Sequence, residues 1–556
     1  MFQRIVALSS AIEGVVTPSR IQGVTPDRVA VRRWVLAHAE VFGILGILVI
    51  AGVAHGVNML HFPYFETDEG TYMSQAWSFV TEGQLAPYTY WYDHAPLGWI
   101  QIALWAILTG GFYTFGSAVE SGRVLMLVIQ LTSTFLVYRI ARNVTDSILA
   151  AAIASLTFSL CAYGIYYHRR VLLDNLATVW MLASLSLLLE KRLKLGRVWL
   201  SGVALGISIL SKELTVFVMP CFAYLAFFRS HRAQRWFATA GWVLIVGSIV
   251  SGYFLMALLK GELFPTGTWL GGTNPHVSLL GTLLFQADRG RDAGLLSLQS
   301  GFWITARQWA SVEPFLVVGG SACAILTLLA FRRNRAIALV GASTLALWAF
   351  LARGGIVIGF YLVPLLPMLA LCDGIVIATV IRWGTAWLDS HGTRGLAVRA
   401  VVSTVVLATS VALLLPGYDN QQLGFHSDHL VLWNNVQADA QQQSLNWVLG
   451  HLPRSSRIII DDYMWTDLHD PANGSPGYPY AHWHWKVDLD PAIRNGVFRG
   501  NWRNIDYVIT TPQMISDVKT GHLTLVGKAI AHSTVIAHFD TGGWPIDVRK
   551  VTKSAS

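Results

Sequence analysis

The chain has 556 residues, of which 53% are hydrophobic and only 13% charged. A soluble domain carries roughly 25% charged residues, so a water-soluble globular enzyme is excluded. The net charge of +8 does not mark a nucleic-acid binder, because the basic residues sit in short clusters between apolar runs, as membrane topology would place them.

In chain order, residues 1–38 are mixed and basic, with Arg28, Arg32 and Arg33 just ahead of the first long apolar run. They read as a cytoplasmic N-terminal segment, not a cleavable leader. Eleven apolar runs then approach the roughly 20 residues that cross a bilayer as a helix. They lie near 41–60, 123–138, 148–163, 172–189, a broken pair at 198–210 and 214–228, then 237–259, 315–330, 336–351, 356–380 and 397–415. The expected fold is an α-helical polytopic membrane protein of about eleven transmembrane helices, occupying 39–416.

Charge sets the orientation. The connections assigned to the cytoplasm carry Arg139 and Arg142, then Lys191 to Arg197, Arg229 to Arg235, Arg332 to Arg335 and Arg382 to Arg399. The loop 62–122 has no Lys or Arg but holds six acids, Glu66, Asp68, Glu69, Glu82, Asp93 and Glu120. That asymmetry puts the loop outside. Eleven spans then put the tail, 417–556, outside as well. The tail is polar, with strand-like stretches at 457–461, 507–510 and 534–538, and reads as an extracytoplasmic α/β domain. Cys161, Cys221, Cys323 and Cys372 all lie in apolar runs without a CxxC pair and read as small buried hydrophobes.

Charges at the outer surface mark the candidate site. Asp68 and Glu69 follow the first run among aromatics, with a helix N-cap at Thr67 or Asp68 as the plain alternative. Trp91 to Gly98, containing His94, leads into an amphipathic stretch at 99–112 suited to lying along the interface. His168, Arg169 and Arg170 break the positive-inside trend. Asp174 lies just inside an apolar helix, where an acid is costly and needs a partner; Arg170, four residues earlier, would be a local one. Lys212 and Glu213 split a run of roughly 30 residues, longer than one span needs. Arg353 stands at another outer turn, before Phe360, Tyr361, Pro364 and Pro367, whose prolines break a helix near the outer surface. Acids and cations at one interface are the inventory for a base and an anion-stabiliser. A transporter would more often place its charges near the midplane, in matched halves.

These elements together resemble bacterial glycosyltransferase family 39, which groups protein O-mannosyltransferases with the aminoarabinose transferases of lipid A in the GT-C fold. The elements are the Asp68-Glu69 pair, Arg170 with Leu172-Leu173-Asp174, Lys212 after a short fifth run, and Tyr361-Leu-x-Pro-x-x-Pro367. The likeness covers roughly residues 40–380. It implies a transferase for polyprenyl-phosphate-linked sugars, a mannosyltransferase-like enzyme of the cell envelope in the plasma membrane. Asp68 matches the general base, Glu69 the adjacent acid and Asp174 the acid of the Leu-Leu-Asp element. Arg169, Arg170 and Lys212, with Arg353, fall where cations attend the donor phosphate, and His94 and Tyr361 are substrate-binding candidates. His94 departs from the more usual Lys or polar residue before the loop's proline. The reaction implied is inverting transfer from polyprenyl phosphate to a hydroxyl of a protein, lipid or glycan acceptor. The partners are membrane lipid and no nucleic acid. No cofactor or metal is demanded, though a divalent ion at Asp68 and Glu69 is compatible. A transporter or flippase of a lipid-linked glycan is the competing class, and a glycan-binding receptor or assembly subunit a third.

Overall fold

Apolar runs interrupted by charge and proline fold as a helical bundle with broken members. The computed structural model describes residues 26–265, 274–390, 404, 430–473 and 477–553. Helix α1 (Pro26–Gly56) leads to the 62–122 loop, which carries α2 (Thr67–Thr81) and α3 (Leu97–Thr109). The bundle continues through α4 (Ala118–Thr145), α5 (Ile148–Leu160), α6 (Ala162–His168), α7 (Leu173–Leu188), α8 (Leu195–Ser211), α9 (Met219–Arg229) and α10 (Arg235–Leu259). After α11 (Leu279–Asp288) and α12 (Gly301–Val312) come α13 (Gly320–Leu328), α14 (Arg335–Leu351) and α15 (Leu365–Ser390).

Among the described residues, five helical stretches are long and apolar enough to cross a bilayer: His38–Gly56, Ala118–Thr145, Arg235–Leu259, Pro314–Arg332 and Gly359–Ala386. The pair α5–α6, bent by 61°, makes a sixth if taken as one span. Large apolar side chains on α1 (Leu45, Val49, Val53) and α10 (Leu244, Leu255, Leu258) are exposed, as lipid-facing surface requires. The chain is an integral membrane protein.

The eleven spans expected from hydropathy are not reproduced as eleven membrane-length helices. Helix α7 has 16 residues and α8 has 17, about 24–26 Å at 1.5 Å per residue, short of the roughly 30 Å hydrocarbon core. The run at 214–228 is split into a 3-10 turn, Glu213–Val218, and α9. The run at 397–415 falls outside the described residues, apart from 404. The stretch expected at the interface is α3, an apolar helix that buries Trp99, Ile102 and Ala103 and exposes Leu104, Ile107 and Leu108.

The tail folds around a five-stranded sheet ordered β2-β1-β3-β5-β4. Its strands are β1 (Ile458–Ile460), β2 (Ala481–Trp483), β3 (Tyr507–Thr510), β4 (Ser533–Phe539) and β5 (Ile546–Val551). Strand β1 pairs in parallel with β2 and β3, whereas β5 runs antiparallel to β3 and β4. Successive strand side chains point to opposite faces. Ile458 and Ile460 therefore join one core with Tyr463, Trp465 and the loop residues Phe65, Tyr72 and Trp99, while Ile459 joins another with Val487, Phe498 and Trp502. The tail thus shares a hydrophobic core with the 62–122 loop.

That docking is reinforced locally. Thr67 Oγ1 donates to Asp461 at 2.9 Å, Gln441 Nε2 to the Phe65 carbonyl at 2.9 Å, and Ala438 N–H to the His61 carbonyl at 2.9 Å. Tyr64 and Trp544 stack at 3.7 Å. Gly70 makes the closest approach: a Cβ there would lie 2.2 Å from the Asp462 backbone carbon, so only glycine lets the tail close onto α2.

Candidate active site

The two adjacent acids of the 62–122 loop have opposite surroundings. Glu69 is fully buried and saturated. Its carboxylate accepts from Arg123 Nε (2.9 Å) and Nη2 (2.8 Å), from Val171 N–H (2.9 Å) and from Glu66 N–H (2.9 Å). Arg123, on α4, spends its remaining donors on the carbonyls of Met59, Pro63 and Tyr64. This pair ties the end of α1, the start of α2 and the turn before α7 into one unit. Arg123 was not singled out in the sequence, where it reads as the edge of an apolar run.

Asp68 is one residue away, in the first turn of α2, and half-buried. The cap is Glu66, not Thr67 or Asp68. The Asp68 carboxylate makes no hydrogen bond or ion pair among the described residues. It lines a cavity of about 510 Å³ together with His94, Lys212, Arg289, Tyr361 and the tail residue Asp462.

Lys212 reaches this cavity because α8 ends at Ser211 and the backbone turns extended at φ −156°, ψ 123° before the 3-10 turn. Its ammonium is 3.5 Å from Asp174 Oδ2 and 3.1 Å from His94 Nε2, beside the rings of Phe360 and Tyr361. His94 Nδ1 is 3.2 Å from Glu213 Oε2, and Glu213 Oε1 accepts from Ala95 N–H at 2.9 Å. Since the ammonium can only donate, His94 Nε2 accepts and its Nδ1–H donates to Glu213. His94 therefore acts as a bridge that sets the position of Lys212. Asp174 pairs with Lys212, not with Arg170 as its spacing suggested.

The cations expected near a phosphate separate into two groups. Arg169 is buried, and its guanidinium donates to the carbonyls of Ala54, His55, Val57, Phe62 and Leu432. It closes the C-terminal end of α1, and it does not line the cavity. Arg170 lies between Tyr64 and Tyr166 and pairs with Glu66 at 2.7 Å. Arg353 is exposed over Phe350 and also stands apart. Lys212 does line the cavity, as does Arg289, which the sequence reading passed over because it lies between apolar runs in a polar stretch with no motif.

The tail supplies the opposite wall. Asp462, Trp483, Trp485 and Lys486 line the same cavity. Burial pushes the Asp462 carboxyl up to about 7, with Asp461 adding to the rise. Burial pulls the Lys486 amine down to about 7 against the carboxylates of Asp490, Asp93 and Asp462. Its Nζ sits 3.2 Å from the centre of the Trp91 ring. Asp93 is held below the usual carboxylate range, its burial outweighed by His276 at 2.6 Å. Glu66 is raised by burial, against Arg170. No group of three or more His, Cys, Asp or Glu side chains among the described residues is arranged to hold a metal ion.

The helical membrane bundle with broken spans, a charged cavity and a small α/β tail domain is GT-C-like in fold. Residues 94–254 match the family described as dolichyl-phosphate-mannose-protein mannosyltransferase, less than half of the chain. No curated protein sequence matches. Among solved structures, the chain is similar to ArnT from Cupriavidus metallidurans bound to undecaprenyl phosphate, with 14% identity over 94% of this chain and 99% of that one, at a TM-score of 0.55. It is also similar to the apo oligosaccharyltransferase of Archaeoglobus fulgidus, with 11% identity over 87% of this chain and 72% of that one, at a TM-score of 0.50. At these identities the likeness is one of fold.

Proposed function

We propose that this protein is an inverting glycosyltransferase that moves a sugar from a polyprenyl-phosphate donor to an acceptor hydroxyl at the extracytoplasmic face of the plasma membrane. One observation carries the reading: Asp68, a carboxylate with no hydrogen-bond or ion-pair partner among the described residues, shares a cavity with the buried cation Lys212. Asp68 takes the proton of the acceptor O–H as the oxygen bonds the anomeric carbon. The anomeric carbon–phosphate oxygen bond breaks on the opposite side, and polyprenyl phosphate leaves with the electron pair. Lys212 and Arg289 stabilise the leaving phosphate, and a positioned base contributes roughly 10²–10⁴-fold. Asp174, His94 and Glu213 hold Lys212 in place, while Glu69 holds the helix that presents Asp68. Tyr361 borders the same space. The reading needs no metal, since the two cations suffice for one phosphate.

The domains follow this division of labour, with a cytoplasmic segment 1–38, a membrane module 39–416 and an outer domain 417–556. The charge asymmetry of the 62–122 loop supports the orientation, and the ArnT complex with undecaprenyl phosphate supports the donor class. The sugar is a hexose or a pentose. The test is turnover by purified protein in detergent micelles supplied with a polyprenyl-phosphate sugar together with hydroxyl-bearing protein, lipid and glycan acceptors. Release of polyprenyl phosphate with a glycosylated acceptor is expected. Donor binding without bond cleavage in the presence of every acceptor class would contradict the reading and favour transport.

A further inference from the structure

Three tail tryptophans, Trp483, Trp485 and Trp502, invite comparison as sugar platforms. The structure separates them: Trp502 packs in the far core and stacks on His532 at 4.3 Å, whereas Trp483 and Trp485 are half-buried and line the cavity. Resting on the transferase reading above, we propose that the acceptor is a saccharide, held against a wall made by Trp483, Trp485 and Asp462.

The chemistry of the wall selects for hydroxyls. Asp462 is 1% exposed, and among the described residues neither its Oδ1 nor the Trp483 Nε1–H has a hydrogen-bond partner. Leaving such groups unpaired in a closed site costs about 1–3 kcal/mol each. An unpaired acceptor and an unpaired donor buried at one wall would be satisfied, once their side chains turn toward the cavity, by a ligand whose groups both give and take hydrogen bonds, and a sugar hydroxyl does both. Trp485 has its N–H committed to Asp517 at 3.1 Å, and a Cβ at Gly521 would lie 2.4 Å from its ring. The ring is thereby fixed, and what it offers the cavity is apolar face, which suits stacking against the C–H face of a sugar.

A peptide acceptor fits this wall less well. Of the sheet's two edge strands, β2 and β4, β2 is the one that reaches the cavity, through Trp483, and would receive an added strand there. Its Trp483 N–H already donates to the Tyr88 hydroxyl at 3.1 Å, and Tyr88 packs against Trp465. The loop therefore covers the edge, and recognition falls to side chains.

The test uses the full chain in lipid nanodiscs, probed with an oligosaccharide array and a parallel array of Ser/Thr-containing peptides. Binding is expected to a subset of glycans and to no peptide. Trp483→Ala, Trp485→Ala and Asp462→Asn should each weaken it by about tenfold or more. Trp485→Phe, which keeps a ring, should retain it, separating lost stacking from lost folding. Peptide binding in place of glycan binding, no glycan binding at all, or glycan binding unchanged in all three variants overturns the proposal. So does displacement of the glycan by a polyprenyl-phosphate sugar, which would put the donor on this wall. Release of polyprenyl phosphate by the same preparation is read separately. Donor turnover without glycan binding sinks the acceptor class alone, and glycan binding without donor turnover sinks the transferase reading.

Discussion

Asp68 and Glu69 are neighbours in sequence, and neutralising them should have opposite consequences. Glu69→Gln preserves volume but replaces one carboxylate oxygen with an NH₂ group. The native carboxylate accepts four hydrogen bonds, two of them from Arg123, so an amide donor must face another donor and Arg123 keeps its charge without a counterion. Removing one partner of a buried pair costs about 3–5 kcal/mol, which for a chain of this length lowers the melting temperature by roughly 3–4 °C. Asp68→Asn disturbs no hydrogen bond among the described residues. Stability should stay within about 0.5 kcal/mol, while turnover falls roughly 10²–10⁴-fold. Thermal melts read by size-exclusion fluorescence, with release of polyprenyl phosphate on the same samples, give both quantities. A thermally neutral Glu69→Gln, or an Asp68→Asn enzyme within a few-fold of the unmodified protein, would refute the assignment of one acid to scaffold and the other to chemistry.

Other predictions follow from the same geometry. Lys212→Gln should reduce donor use by about tenfold or more, the cost of a hydrogen bond to a charged group, and Arg289→Gln should act in the same direction. Arg169→Gln should instead lower the melting temperature, because it strips partners from buried carbonyls at the end of α1; a pure loss of donor affinity would contradict this. Asp462 is raised to about 7 by burial, so between about pH 4 and pH 7 the unfolded chain binds fewer protons than the folded one, and stability falls as pH rises. Asp462→Asn should therefore gain more relative to the unmodified protein at pH 8 than at pH 5 in thermal melts. For topology, a cysteine at Asn495 should react with a membrane-impermeant thiol reagent in intact cells or spheroplasts, and one at Arg232 should not; the reverse labelling would invert the orientation.

Much of this was legible because membranes make charge expensive. Lys212 and Asp174 stood out as charges at the ends of apolar runs, and they form an ion pair. The tail strands at 458–460 and 507–510 showed as short β-branched runs. Strand β2 did not, because Ala481, His482 and Trp483 gain strand character only from pairing with β1. Eleven spans are not confirmed among the described residues, because hydropathy measures composition and is blind to the breaks that end α5 at Cys161 and α8 at Lys212. Arg169 and Arg170 are indistinguishable in sequence as adjacent cations suited to a donor phosphate. Whether a guanidinium meets a carbonyl cage or a ligand depends on contacts more than a hundred residues away in sequence. The tail's part in the cavity was invisible for the same reason. Asp462 meets α2 through the absent Cβ of Gly70, a long-range fit with no local pattern.

The central claim concerns the donor, and one measurement addresses it directly. Given an acceptor, purified protein should form product from a polyprenyl monophosphate sugar and none from nucleotide sugars when all polyprenyl lipid is removed. Lys212 lies beside the cavity at the end of an apolar helix, where the phosphate of a membrane-anchored donor would come to rest. Product formed from nucleotide sugars alone would contradict the account.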